Sequence, residues 1–250
     1  MLELIVATPD RVVAVHAVLH EQWDREVAQR VGEQFMKDQP TLRSAPKIVW
    51  FMAAPAVAVA AGKSLVERFR YQPSVPEPAR ESELTIWLDT SGRARVDRAW
   101  DAHGGRERLT TVVTMGFPLR GRDERLFEPE WSGPPGRPAR WPVPSVNDVE
   151  RVFSHGLLRE IIACLQLEML REDVLAGRPV VVVRAVRRRP DGLWPHWLPF
   201  GAESYQLSFD REFGSLLAFR GYADGSVYES VAVTEITYGA PIDQHLLDPP

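Results

Sequence analysis

Lysine is almost missing from this chain: Lys37, Lys47 and Lys63 are the only ones, and nearly all positive charge is arginine. The basic residues are scattered and the net charge is −4, so there is no electrostatic footprint for nucleic acid. Cysteine is nearly absent too. A lone Cys164 excludes an intrachain disulfide, and its place in an apolar helical pattern points to a buried, inert thiol. No apolar run reaches the ~20 residues that span a bilayer, so no integral membrane span is expected. No glycine-rich phosphate loop is present either, because Gly133-Pro-Pro-Gly136 has proline where backbone N–H donors would be needed. What is there is a chain of 250 residues, 44% apolar, enough to bury a full core. Its 21 prolines favour loops and strand edges over long helices.

Two N-terminal segments read as helical. Thr8-Pro9-Asp10 has the form of a helix start, and Val12, Val15, Leu19, Trp23, Val27, Val31 and Phe35 follow at three- to four-residue spacing, ending before Pro40. The uncharged stretch Ile48–Ala61, after Arg43 and Lys47, is either a buried helix kinked at Pro55 or the apolar part of a signal peptide. In the second case translation would begin at Met36 and the exported chain near Gly62. As written, with the segment internal, the expected location is cytoplasmic.

From Glu83 the period changes to two. Leu84, Ile86 and Leu88 share one strand face, with Thr85 and Trp87 on the other. Asp89-Thr-Ser-Gly92 turns the chain into a return strand at Arg95-Val96-Asp97. Leu109 to Met115 is a further strand, and residues 116–144 form a long loop containing Phe127, Trp131 and Trp141. Ser145 opens a helix through Cys164, with Asp148 in a capping-box-like position. Strands follow at Leu167–Leu170 and at Val180–Val183, the latter an apolar run expected to be covered on both faces. Tyr205, Leu207 and Phe209 alternate on the next strand. Asp210–Gly214 and Ala223–Ser226 then turn the chain through Leu216–Phe219 into a last strand, Tyr228–Tyr238. Short turns make neighbouring strands antiparallel, so the C-terminal part is a meander. Its apolar face needs a cover, for which the N-terminal helices are the candidates.

Chemistry-bearing patterns are sparse. His16 and His20, four apart on the expected helix, could share a metal, but no third ligand accompanies them and a polar helix face accounts for both. Ser154-His155-Gly156 lacks a nucleophile elbow. No metal, cofactor or catalytic residue is therefore assigned. The most distinctive local feature is Leu193-Trp-Pro-His-Trp-Leu-Pro-Phe200. Trp194, Trp197 and Phe200 beside prolines make a stiff apolar surface, read either as a cap on one end of the sheet or as a gate over a cleft. Trp87, Trp100, Trp131 and Trp141 are further candidates for its lining, with Tyr205, Leu207 and Phe209 leading.

Several stretches occur in an order and spacing that resemble a known family. They are Asp148-Val-Glu-Arg-Val-Phe through Leu165-Gln-Leu-Glu-Met-Leu, then Val174-Leu-Ala-Gly-Arg-Pro-Val-Val-Val-Val-Arg-Ala. Glu203-Ser-Tyr-Gln-Leu-Ser-Phe-Asp-Arg-Glu-Phe-Gly follows, and Glu229-Ser-Val-Ala-Val-Thr-Glu-Ile-Thr-Tyr-Gly closes the pattern. The family is that of LolA-like lipoprotein carriers, a superfamily that also includes a lipid- and lipoprotein-sensing domain. The hairpin Leu84–Val96 agrees more loosely, and residues 1–80 do not match. The resemblance implies an α+β fold in which an antiparallel sheet, curved as an unclosed half-barrel, packs on helices and holds acyl chains in an apolar hollow. The expected organisation is one compact domain: a helical segment over residues 1–80 packed on a half-barrel sheet over 81–250 that includes the helix 145–164. The expected function is noncatalytic binding of an apolar small molecule or lipid. A module that binds another protein through the sheet and aromatic loop is the alternative, and a hydrolase with its site hidden in loops is the third.

Overall fold

The computed structural model describes residues 13–24, 81–102, 105–114, 125–126, 130–132, 162–188, 198–199 and 201–248, together with helical positions at 26–28, 30–31 and 34. Its framework is one antiparallel sheet. The strands are β1 (Val15–Trp23), β2 (Glu81–Leu88), β3 (Arg93–Ala102), β4 (Gly105–Thr114), β5 (Arg125–Leu126), β6 (Glu130–Ser132), β7 (Leu165–Leu175), β8 (Arg178–Arg187), β9 (Ser204–Asp210), β10 (Leu216–Ala223) and β11 (Ser226–Tyr238). Their order is β5-β4-β3-β2-β1-β11-β10-β9-β8-β7, with β6 also on β4. Among the described residues the two ends, β5 and β7, do not pair with each other, so the sheet is unclosed.

The expected C-terminal meander is present strand for strand, and the buried run Val180–Val183 is covered on both faces, at 6% exposure or less. Its turns follow from local chemistry. Ala176-Gly177 and Asp224-Gly225 both have positive φ, which suits two-residue turns matched to the twist of the flanking strands. At the β2–β3 turn, Asp89 Oδ1 accepts from the Ser91 and Arg93 amides and the Ser91 hydroxyl. At the β9–β10 turn, Asp210 Oδ1 accepts from the Glu212 and Phe213 amides, while Arg178 donates to both its carboxylate oxygens. The Asp210 side chain is fully buried.

The N-terminal part departs from expectation. Residues 15–23 are a strand within the sheet, paired with β2 on one side and β11 on the other. Val15, Ala17 and Leu19 fit period two as well as helical spacing, and β-branched Val15 and Val18 favour the extended form. The helical residues start only after Asp24, whose side chain caps the Val27 amide. The strand joining β2 to β11 precedes Met36 in the chain. The expected packing on helices is also not what the described residues show. Apart from positions 162–163 and a 3-10 turn at Gln244–Leu247, helix is confined to the stretch from 26 to 34, which lays Val27, Ala28 and Val31 against the core. The helix expected over 145–164 lies outside the described residues save for its last positions, as do the stretch 48–61 and most of 116–144. Cys164 is half-buried in the turn before β7, not fully enclosed in a helix.

Two substitutions test the turn chemistry. Ala176→Asn should stabilise by about 0.5–1 kcal/mol, by placing a residue tolerant of positive φ before Gly177. Asp210→Ala should cost roughly 2–4 kcal/mol, because it strips two amides of their acceptor and leaves the half-buried Arg178 guanidinium only the exposed Glu212. Urea unfolding reads both.

Candidate ligand-binding face

Strand register decides which side chains share a face. Val183, Leu207, Phe219 and Val231 lie in one row across β8, β9, β10 and β11. Val181 and Phe209 belong to the next row, and Ala185, Tyr205 and Gly221 to the one beyond. Across the centre, Ala17 lies between Ile86 and Ile236, and Leu19 between Leu84 and Val233. These side chains form one core cluster running from β8 to β3. Tyr205, Leu207 and Phe209 are 0–1% exposed within it. In this conformation the face is filled by the protein's own residues.

Part of the cover is visible. Leu198 and Pro199 are buried, and the Tyr205 hydroxyl donates to the Pro199 carbonyl at 3.1 Å. Gly221 allows this approach: a Cβ there would stand 2.6 Å from Pro199 Cβ. Gly201, at φ +83°, sits against Val31 in the same way, linking the segment to the helical stretch after β1. The end of the aromatic loop therefore lies on the apolar face, while Trp194, Trp197 and Phe200 lie outside the described residues.

Charged side chains interrupt the apolar face, Arg187 and Glu229 beside Tyr205 and a cluster towards β3. Arg98 pairs with Leu84 and so points to the apolar side, where its guanidinium lies 3.2 Å from Glu21 Oε2. The Ser82 hydroxyl donates to the same oxygen at 2.7 Å. The parity that Arg98 shares with Ala94, Val96 and Trp100 would have revealed it from sequence once the strand's extent was known.

Trp87 is on the opposite face. It is half-buried, stacks on His16 with centroids 5.4 Å apart, and carries Arg95 over its ring. The structure thus separates Trp87 from Tyr205, Leu207 and Phe209, with which it was grouped. Asp97, also on this polar face, is buried between Arg95 and Arg108. The segment Gln244–Leu247 crosses nearby, with the Leu246 and Leu247 carbonyls accepting from Arg95 and Arg93. His16 and His20 share this face too, but four residues along a strand separates them by about 13 Å, too far for one metal ion. His20 lies 3.6 Å from Glu81 instead. Among the described residues no group of side chains is arranged to hold a metal, and no helix is long and apolar enough to cross a membrane.

Comparison with family models and with curated proteins gives no match. Among solved structures the chain is similar to MucB, at TM-score 0.45 and 14% identity over 98% of this chain and 60% of that one. It is similar also to the MucA/MucB complex of Pseudomonas aeruginosa, at TM-score 0.41 and 15% identity, covering 99% of this chain and 59% of that one. A LolA superfamily protein from Nitrosomonas europaea matches at TM-score 0.25 and 7% identity, over 98% and 96% of the two chains. The chain spans about three fifths of the length of the MucB chains it matches.

Burial raises the pKa of Tyr205, Tyr228 and Tyr238 above the ordinary phenol value, with the neighbouring Glu229 carboxylate adding to the effect at Tyr228. A raised native pKa means stability that is complete below the unfolded value, about 10, and is lost as pH climbs towards the native one. The protein should therefore unfold in alkali beginning near pH 10. The larger part of the tyrosinate absorbance should appear with the loss of circular dichroism, not ahead of it.

Proposed function

We propose that this chain is a noncatalytic binding protein whose apolar sheet face takes the acyl part of a lipid or lipoprotein, in the manner of a carrier or sensor. The observation that carries the reading is the continuous apolar face of an unclosed sheet, reached by residues Leu198, Pro199, Gly201 and Ala202, which are not part of a strand of that sheet. The face is self-filled here, so binding would exchange the protein's own cover for acyl surface, each worth about 25 cal/mol per Å2. The two nearly cancel, which suits a protein that must release what it binds. Glu21, Ser82 and Arg98 would provide a polar end to such a site. An envelope location belongs to the same reading.

Native mass spectrometry of protein gently purified from its own cells should show a bound lipid, and the purified protein should take up a fluorescent fatty acid. Protein that neither carries lipid nor takes up the fatty acid sinks the proposal. Gly221→Ala tests the cover. The added methyl must displace Pro199, so uptake should accelerate several-fold while stability falls by only about 1–2 kcal/mol. A loss of stability with unchanged uptake would mean that Leu198–Ala202 is a fixed cap.

A further inference from the structure

Among the described residues β7 ends the sheet, with β8 as its one strand neighbour in the sheet order. Glu168 through Val174 are exposed without interruption, including Met169 at 58%, Leu170 at 46% and Val174 at 68%. An open edge of this kind displays unpaired N–H and C=O groups and can template another strand. Its charges and bulge are the usual guards against indiscriminate pairing.

The bulge changes the phase of the strand. Opposite β8 the register shifts between Met169 and Arg171, leaving Leu170 as the extra residue. Glu168 is paired with Arg184 and Arg171 with Val182, so both lie on the polar side of the sheet although they are three residues apart. In a regular strand residues three apart would lie on opposite faces. Asp173 and Glu172 are already engaged within the chain, by Arg171 and Arg211 respectively. Among the described residues Glu168 has no ion-pair partner.

We propose that β7 is a docking edge for a second copy of this chain, the two β7 strands pairing antiparallel about a two-fold axis between Met169 and Leu170. In that register Glu168 lies opposite Arg171 of the partner subunit, on the same face, where that guanidinium, 3.1 Å from Asp173 in its own chain, would be shared between two carboxylates, and Met169 lies opposite Leu170 of the partner subunit. The two-fold repeats both contacts. A shift of one residue in one direction sets Glu168 against Glu172 of the partner subunit, and a shift in the other sets Leu167 against Arg171 of the partner subunit. Charge complementarity therefore favours the self-paired register over its neighbours. An edge-strand contact is small, so the dimer should be weak, with a Kd of about 1–100 μM that rises with salt.

Sedimentation velocity across this concentration range provides the test, using the full chain. The wild type should pass from monomer to dimer. Glu168→Arg and Arg171→Glu, each alone, should be monomeric throughout, because each sets like charges opposite across the two-fold. Mixing these two variants should restore a dimer, since each supplies the charge that the other needs. Both positions are exposed, so the variants should melt within a degree or two of the wild type, and that melt separates lost pairing from lost folding. A wild type that stays monomeric up to about 0.5 mM, a dimer indifferent to both substitutions, or a mixture that fails to reassociate would each overturn the proposal. A monomer whose β7 instead takes up an extended peptide would overturn it as well.

Discussion

Strand β1 hydrogen-bonds along both of its edges, to β2 through Val15–Gln22 and to β11 through Val15–Trp23. Without it the sheet would be two pieces: β2 to β6 on one side and β7 to β11 on the other. Each piece is a local arrangement whose strands follow one another through turns or loops. The join is nonlocal at both contacts, since β1 meets the beginning of one meander and the end of the other. Val15, Ala17 and Leu19 supply the apolar centre of the join, and all three are buried. At the β1–β11 irregularity the Thr234 hydroxyl donates to the Val18 carbonyl, so the break in register does not strand that acceptor.

Buried carboxylates secure the turns that keep the meanders in register. Asp89 and Asp210 each gather backbone amides at the base of a hairpin, and Asp210 also holds Arg178 from the neighbouring β8. Phe213 and Tyr238 stack beneath that guanidinium, tying the β9–β10 turn to the end of β11. Register matters here because a slip of one residue would turn Tyr205, Leu207 and Phe209 from the core to the polar side. The apolar face exists as one surface only while every strand keeps its phase.

The two faces of the sheet consequently have different work. The apolar one is filled by the chain and carries charges at Glu21 and Arg98 and, beside Tyr205, at Arg187 and Glu229. The polar one is occupied by ring stacking and paired charges around Trp87 and Asp97, and by the C-terminal segment across Arg93 and Arg95. The edge at β7 belongs to neither face, and what it can meet is set by backbone pairing and by the phase change at its bulge.

Alternation and turn residues were enough to find β2 to β4 and β7 to β11, because those signals are local: Asp89–Gly92, Ala176-Gly177 and Asp224-Gly225 each direct a turn whatever lies around them. The sequence also placed Leu84, Ile86 and Leu88 opposite Trp87, and Tyr205, Leu207 and Phe209 on one face, since parity along a strand is a property of the strand itself. It could not bring those two sets onto common or opposite sides, because that depends on register across β1. Nor could it identify β1, whose apolar residues fit two periods equally well. The choice between them was made by two open strand edges, on β2 and β11, that an extended segment satisfies and a helix does not. Composition and local pattern determined the strands and their turns; tertiary pairing decided which segment completes the sheet, which face each aromatic side chain joins, and that Arg98 and Glu21 meet within the apolar side.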